Sequence, residues 1–375
     1  MAMIGSRIRL AREIAGLTQA ELASRVGTTQ SGIASMEANL YGPSEELIET
    51  IATACGFGST FLSFSARDEF PSGALLYRSR AAVPKAVRQR AHGLTTLAYE
   101  LATAMGDQLK RLPVNLPRLA EDPIRAAQIT RAALGVAPAV PIVDLLNRCE
   151  VNGVLVLWVP YQVDTLDGFS TWVGVSAPRP VMAILGGKTG YRTNFTIAEE
   201  LGHLVLHSPL RTSVSEAEAE AKVFAQEFLL PSEAMHEEIT RPVTLSSLAP
   251  LKNRWRVSLQ ALIRRAKDLG YVTANQYRYL NQQIRMNGWA RAEPGDDGIQ
   301  QQKPRLLRKM AALLYGEPID FKEISVETGV SEDLLSDILC VDRPRKEGKL
   351  LRFRPTGAAS DITVLDAPES DASNQ

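Results

Sequence analysis

The segment TIAEELGHLVLHS, residues 196–208, holds two of the chain's four histidines and two adjacent glutamates. Residues four apart on a helix are displaced by about 40° around its axis, so Glu199, His203 and His207 share one face. Glu200 lies beside that face. Imidazole nitrogens and carboxylate oxygens are zinc ligands, and a neighbouring carboxylate can take a proton from water. The spacing therefore predicts a polar helix face suited to metal binding or to acid–base chemistry.

Buried strands and long helices are expected to position these side chains. Short apolar runs at 154–159 (VLVLWV) and 181–185 (VMAIL), each bounded by Gly or Pro, are typical of buried strands. Long helices are predicted at 193–208, 215–230 and 258–288. The second of these helices begins with a carboxylate-rich stretch and continues with an apolar face. The sequence therefore places helices around a small sheet in this region.

The paired segments F-T-I-A-x-E-L-G-H-L-V-L-H and E-A-E-A-x-x-F-A-x-E-F-L-L-P resemble the ImmA/IrrE-type metallopeptidase domain, across residues 139–292. That family is similar to the zincins, whose H-E-x-x-H motif supplies two zinc ligands and a general base. The residues that the resemblance assigns to this chemistry are Glu199, His203 and Glu218 as metal ligands and Glu200 as general base, with Glu220 as the alternative to Glu218.

Glu199 stands where the zincin motif has its first histidine, so the motif here is degenerate (EExxH). Two carboxylates and one imidazole would place two formal negative charges on zinc, whereas two histidines and one glutamate place one. The metal would then polarise its bound water less. Three hypotheses stay open: a metal-free or catalytically silent zincin fold, which we favour, a metal-bound but altered site, and an effective peptidase. If the domain is an enzyme, we expect a zinc metallopeptidase that Glu199 weakens. His207 is expected to have a structural role.

Residues 3–64 form a run of short predicted helices separated by capping and turn signals. Thr18 and Glu21 have the spacing of a capping box for the second helix. Gly27 permits the sharp turn that follows it. A threonine then caps a third helix, predicted over 30–38. Short helices joined at about a right angle by a glycine-containing turn are typical of a helix-turn-helix.

The T-Q-A-E-L-A and V-G-T-T-Q segments around this turn resemble the Cro/CI-type (XRE) DNA-binding domain of phage repressors. The resemblance implies a five-helix domain whose third helix lies in the major groove, where a glutamine side chain can pair with adenine. It also implies that Arg12 and Glu37 form a structural pair. The implied DNA contacts are base contacts from Thr29, Gln30, Ser31 and Ser35 and a phosphate contact from Gln19.

Charge alone attracts this N-terminal domain only weakly to DNA. Residues 1–64 contain four Lys and Arg residues and six Asp and Glu residues. The counterion-release contribution of such a domain is small. A helix-turn-helix used only for protein interaction would have the same composition, and this alternative stays open. The basic segment 78–90 is expected either to contact phosphates or to be a solvated helix face.

The 375 residues include 42 basic and 42 acidic side chains, 45% hydrophobic residues and three cysteines. A chain of this length usually forms more than one core. Zero net charge excludes a global positive field, and the cysteines are too few for a disulfide framework. We expect a cytoplasmic, mainly α, multidomain protein without a membrane span. The predicted domains are 1–64 (helix-turn-helix), 65–138 (basic helical linker), 139–292 (α+β, metallopeptidase-like), 304–354 (small helical region) and 355–375 (disordered tail).

Two later segments, 244–270 and 319–340, loosely resemble a further helix-turn-helix. In each of them a Val-Ser pair opens a predicted helix. The pattern is too weak to assign a function to either segment.

The combination of both domains in one chain implies a sequence-specific, repressor-like transcriptional regulator. Dimeric helix-turn-helix proteins place two recognition helices about one DNA turn apart. We therefore predict a homodimer on double-stranded operator DNA, with dimer contacts from 85–111 or from the larger domain. The peptidase-like domain is expected to be a sensor that binds a peptide, a partner protein or a small ligand. Two alternatives are a zinc-dependent protease that cleaves a repressor or itself, and a DNA-binding antitoxin.

Overall fold

Helices make up most of this protein, and a computed structural model describes them together with one small sheet. The mainly α class predicted from the sequence is confirmed. None of the helices in the described part of the chain combines the length and hydropathy needed to span a bilayer. The predicted tail and the start of the basic segment 78–90 lie outside the described residues. The described residues are 4–63, 70–71, 84–109, 112–163, 166–174, 177–186, 190–207, 214–298 and 301–343.

Five helices form the N-terminal domain, as predicted. The Thr18 hydroxyl accepts from the backbone N–H of Glu21, whose side chain accepts from the Thr18 N–H, so the capping box is present. Gly27 ends the second helix at φ 72°, in the left-handed region that favours glycine. Thr29 caps the third helix by accepting from the N–H of Gly32. The five helices are α1 (Ile4–Ala15), α2 (Gln19–Val26), α3 (Gln30–Glu37), α4 (Glu45–Ala54) and α5 (Ser59–Ser63).

A long helix, α6 (Lys85–Gly106), packs directly on α1. Gly93 permits the close approach, because a Cβ there would lie 2.9 Å from the Ile14 side chain. Arg7 of α1 donates a hydrogen bond of 2.6 Å to the Glu100 carboxylate, and both side chains are buried. The sequence pattern predicted that this segment would be part of a linker or a dimer arm. The structure instead places α6 inside the core.

Three strands form a mixed sheet in the order β1-β3-β2. β1 runs parallel to β3, with Leu157 opposite Ala183, and β2 runs antiparallel to β3. The first and third strands match the two predicted apolar runs, whereas β2 was not predicted as a strand. The strands are β1 (Leu155–Val159), β2 (Gly168–Val173) and β3 (Arg179–Leu185).

The sheet separates two hydrophobic cores. Side chains on one face, including Leu157 and Phe169, pack into a core with the N-terminal domain, α6 and the C-terminal helices. Side chains on the other face, including Val156 and Ile184, pack into a second core with the helices before and after the sheet. The N-terminal domain therefore shares a continuous core with the sheet. The three cysteines are buried and form no disulfide.

In the described part of the chain, eight helices flank the sheet in the second core. The single long helix predicted over 258–288 is two helices, because Gly270 adopts φ 75° and Thr273 forms a new capping box. The flanking helices are α7 (Pro123–Ala133), α8 (Leu145–Val151), α9 (Gly190–Leu206), α10 (Val214–Leu229), α11 (Ser232–Glu238), α12 (Leu245–Trp255), α13 (Leu259–Asp268) and α14 (Ala274–Met286).

Three C-terminal helices, α15 (Leu306–Tyr315), α16 (Phe321–Thr328) and α17 (Glu332–Ile338), connect both parts of the protein. At the end of α8, the Glu150 carboxylate accepts from the backbone N–H groups at the start of α15, at 2.8 to 3.0 Å. The N–H of Gly58 in the N-terminal domain donates to the carbonyl of Gly329 at 2.8 Å. These contacts tie the C-terminal helices to the N-terminal domain and to the sheet-bearing domain.

Candidate functional site

The second and third helices of the N-terminal domain present one candidate site. Ile33 and Met36 are fully buried, which fixes the orientation of α3 and leaves its opposite face open. Thr29, Gln30 and Ser31 are exposed at the start of that helix. The predicted contact residues Gln19 and Ser35 are half-buried beside them. The structure therefore brings all five predicted DNA contacts to one end and one face of the helix-turn-helix.

A chain of side-chain hydrogen bonds fixes the amides of this site. Arg12 donates to both oxygens of the Glu37 carboxylate, at 2.5 and 3.1 Å. That carboxylate also accepts from the Gln19 amide nitrogen at 2.8 Å. The Gln19 amide oxygen in turn accepts from the amide nitrogen of Gln30 at 2.9 Å. Because Gln30 donates through one of its two N–H bonds, the other N–H and the amide oxygen remain available to a base edge.

Sequence reasoning missed the loop that follows α3. Leu40 is 76% exposed and Tyr41 is 50% exposed. The Tyr41 hydroxyl donates to the carbonyl of Gly32 at 3.1 Å, which holds the ring against the outer face of α3. Asn39 adopts φ 56°, and its side chain accepts from the N–H of Gly5. This positive φ sets the direction in which the loop leaves α3, and no spacing signal in the sequence indicates it.

A second candidate site lies where α9 faces β2 and α10. Glu200 is 6% exposed, and its carboxylate lies 2.8 Å from the hydroxyl of Ser170 in β2. The same hydroxyl lies 2.9 Å from the backbone carbonyl of Glu200. Gly202 allows α10 to approach, since a Cβ there would lie 2.8 Å from the ring of Phe224. The predicted general base is therefore a buried carboxylate held against the sheet.

The two histidines of α9 are linked to each other and to two glutamates of α10. The Nδ1 atoms of His203 and His207 lie 2.9 Å apart. Nε2 of His203 lies 3.4 Å from the Glu218 carboxylate. Nε2 of His207 lies 2.9 Å from the Glu220 carboxylate. Glu218 and Glu220 therefore have different neighbours in this structure: Glu218 lies near His203 and Glu220 near His207.

The donor atoms do not converge on a metal position. No three His, Cys, Asp or Glu side chains in the described part of the chain form a group that could hold a metal ion. Both ring nitrogens of His203 are already engaged, one with His207 and one near Glu218. The arrangement is that of a hydrogen-bonded histidine–carboxylate cluster and does not fit zinc as it stands. The ligand set Glu199, His203 and Glu218 stays a prediction.

Comparison with protein families agrees with this division of the molecule. Residues 4–60 match a helix-turn-helix domain model, and residues 149–267 match an IrrE N-terminal-like domain model. No curated protein matches the chain. Both matches fall inside the domains predicted at 1–64 and 139–292. The chain therefore combines an XRE-type helix-turn-helix domain and an IrrE N-terminal-like, metallopeptidase-related domain in one polypeptide.

Proposed function

We propose that this protein is a sequence-specific, repressor-like transcriptional regulator and that α3 reads an operator in double-stranded DNA. The hydrogen-bonded chain from Arg12 through Glu37 and Gln19 to Gln30 carries the proposal. It holds an amide in one orientation at the exposed start of α3, and a glutamine placed in this way can pair bidentately with adenine. A helix-turn-helix used only as a protein contact would not need a fixed amide at this position.

We propose further that the IrrE-like domain is a sensor or partner-binding module. Contacts across the sheet connect the buried Glu200 carboxylate of this module to the core beneath the DNA-binding domain. Ser170 of β2 contacts Glu200 on one face of the sheet, while the adjacent Phe169 packs on the other face, in the core shared with the N-terminal domain. The ring of Phe169 lies 6.1 Å from that of Phe70 in the same core. A ligand that shifts α9 against β2 would therefore disturb the packing beneath the DNA-binding domain.

We also propose that the protein binds its operator as a homodimer. A single module of this size makes a small contact with DNA, and selectivity then requires two copies on a two-fold operator. Because α6 is buried in the core, its segment at 85–106 offers little free surface for dimer contacts. The dimer interface is therefore expected on the sheet-bearing domain or the C-terminal helices.

A gel shift on the protein's own upstream DNA tests the proposal. We expect the full chain to bind this duplex more tightly than a scrambled duplex, and Gln30→Ala to lose that preference. Glu200→Gln is the matched control and should leave operator binding unchanged, since a glutamine oxygen can still accept from Ser170 and the change lies outside the predicted DNA contacts. Equal binding of both duplexes by the wild-type protein would contradict operator recognition.

Elemental analysis of the purified protein tests the protease alternative. The histidine–carboxylate cluster predicts less than one equivalent of zinc and no cleavage of a partner. Stoichiometric zinc together with cleavage that requires Glu200 would identify the protein as a zinc-dependent protease. Co-elution as a dimer in size-exclusion chromatography with light scattering would support the predicted stoichiometry, and a monomer on operator DNA would contradict it.

A further inference from the structure

Residues 252–291 form a strongly basic segment, whereas the N-terminal domain has a net negative charge. This segment contains nine Lys and Arg residues and a single acid, Asp268. Residues 1–64, which hold the recognition helix, have two more acids than bases. The segment includes α14, which begins beyond the part of the chain that matches the IrrE-like model. Neither candidate site makes use of this charge.

Several of these cations are already neutralised. Lys252 and Arg265 are buried, and they pair with Glu293 and Asp296 and with Glu227, respectively. At the surface, Arg254 pairs with Glu238 and Arg264 with Asp268. Three exposed arginines have no ion pair with any described carboxylate. These are Arg278, Arg285 and Arg291.

Two of these arginines lie on one continuous exposed face of α14. Asn275, Arg278, Gln282 and Arg285 follow the i, i+3, i+7, i+10 spacing of a single helix face, and all four are exposed. The opposite face is anchored in the second core by Leu280 and Ile284. The face therefore consists of two guanidinium groups and two amides, with no acid on the helix.

A groove of about 780 Å³ runs along the side of this face, between α12 and α14. Most of its lining is apolar, and its polar residues include Ser246, Gln276 and Gln283. Tyr279, which also lines it, is 60% exposed. Hydroxyls, amides and arginines are the side chains that donate to phosphate oxygens in protein–DNA complexes. The groove is mostly apolar, and none of the described residues that line it places an acidic side chain beside the arginine face.

We propose that the exposed face of α14, together with Arg291 shortly after the end of the helix, binds the phosphate backbone of duplex DNA as a second contact surface. The inference rests on the proposed function, because it assumes that the chain acts on duplex DNA. Phosphate neutralisation supplies most of the sequence-independent affinity of DNA-binding proteins. The recognition helix provides base-reading amides without cations, whereas α14 provides cations. Charge complementarity favours a polyanion over a second copy of this same positive face.

The salt dependence of binding tests this surface. The triple variant Arg278→Gln/Arg285→Gln/Arg291→Gln should weaken binding to operator and scrambled duplexes by the same factor, about tenfold or more at low salt. The slope of log K against log salt should fall by about 0.9 for each phosphate that the variant no longer neutralises. The matched control is Arg308→Gln/Lys309→Gln/Lys322→Gln, which removes three exposed charges from the C-terminal helices. This control should retain the wild-type slope.

The Gln30→Ala variant separates this inference from the proposed function. It should lose the preference for operator and keep the wild-type slope. If Gln30→Ala loses that preference while the triple arginine variant keeps the wild-type slope, operator reading stands and the α14 surface is wrong. If the wild-type chain binds neither duplex, both proposals fail.

Two further measurements guard against a folding artefact. The triple variant Arg278→Lys/Arg285→Lys/Arg291→Lys retains the charges and should keep the wild-type slope. All variants should show the wild-type thermal unfolding midpoint, since the altered side chains are exposed. Dissociation of a dimer by the glutamine variant with an unchanged salt slope would identify the face as a protein interface and overturn the proposal.

Discussion

Two segments of this chain, 19–37 and 321–338, share the same capping and turn features between two short helices. In each, an eight-residue helix ends at a left-handed glycine, Gly27 with φ 72° or Gly329 with φ 68°. Two residues after that glycine, a hydroxyl side chain caps the next helix, Thr29 for α3 and Ser331 for α17. The loose similarity that the sequence showed at 319–340 therefore extends to the turn glycine and the helix cap.

The surroundings of the two segments differ. Nothing lies within 4 Å of a Cβ added at Gly27, whereas a Cβ at Gly329 would lie 2.4 Å from the backbone nitrogen of Phe61. The first segment exposes an uncharged face of its second helix, headed by Gln30. The second helix of the other segment is packed into a core and carries three acids, Glu332, Asp333 and Asp337.

This difference shows that a helix-turn-helix defines only how two short helices are connected. DNA reading depends on which side chains the second helix presents, and to what. An acidic, core-packed helix cannot enter the groove of a polyanion. The same turn thus supports a recognition element at one end of the chain and a packing element at the other.

The largest expected effect concerns the buried ion pair between Arg7 of α1 and Glu100 of α6, which joins the N-terminal domain to α6. Glu100→Ala should lower the free energy of unfolding by about 3–5 kcal/mol, because it removes the carboxylate that pairs with the buried Arg7 cation. Urea unfolding followed by circular dichroism measures the change. Arg7→Met/Glu100→Leu should recover most of the loss, and a double variant no more stable than Glu100→Ala would contradict this interpretation.

The next effect compares the two glycines directly. Gly329→Ala combines left-handed strain with a backbone clash and should cost about 2–4 kcal/mol. Gly27→Ala has strain alone and should cost about 1–2 kcal/mol. Thermal or urea unfolding of both variants gives the comparison. Equal losses would mean that the contact between Gly58 and Gly329 does not hold the C-terminal helices in place.

A smaller effect is expected at the base-reading amide. Gln30→Ala should reduce discrimination between operator and scrambled duplex by about 1–3 kcal/mol without changing stability, because Gln30 is exposed. Competition gel shifts measure the discrimination. Ser331→Ala removes the capping hydroxyl of the acidic segment and should leave discrimination unchanged. Weaker discrimination there would mean that both segments contact DNA.

The smallest effect concerns the capping box of α2. The backbone hydrogen bond from Thr18 lowers the pKa of Glu21 below its usual value. A lowered folded-state pKa contributes stability above the unfolded pKa, and that contribution is lost as the pH falls through the folded pKa. Glu21→Gln should therefore cost less than about 1 kcal/mol at pH 7. Unfolding curves should converge with the wild type as the pH falls below about 4. A difference that persists at low pH would exclude this cause.

Local signals predicted much of the N-terminal domain. Capping residues and turn glycines act within a few positions, so Thr18, Gly27 and Gln30 could be placed from their spacing alone. The buried state of α6 could not be predicted in this way. Leu94, Leu97 and Leu101 form an apolar stripe that predicts one buried face, but Thr95, Thr96 and Glu100 lie off that stripe and are buried as well. Their burial depends on the close approach of α1, which is a long-range contact.

The IrrE-like site shows the same limit. The spacing of the α9 histidines predicted their common face, and the resemblance placed α10 beside them. The contact between Ser170 and Glu200 joins residues 30 positions apart. Which histidine Glu218 and Glu220 each contact depends on how α10 packs against α9. No pattern within one segment contains that information.

Because α1 shares its core with α6, the N-terminal helices α1–α5 are not expected to work as a DNA-binding domain that can be moved alone into another protein. Leu10 and Ile14 are buried, and both lie within 4 Å of a Cβ built at Gly93. A fragment that stops after α5 would open this apolar surface to water and would be prone to aggregate. Chimaeras that exchange operator preference should therefore replace the outer residues of α3 and retain the native scaffold.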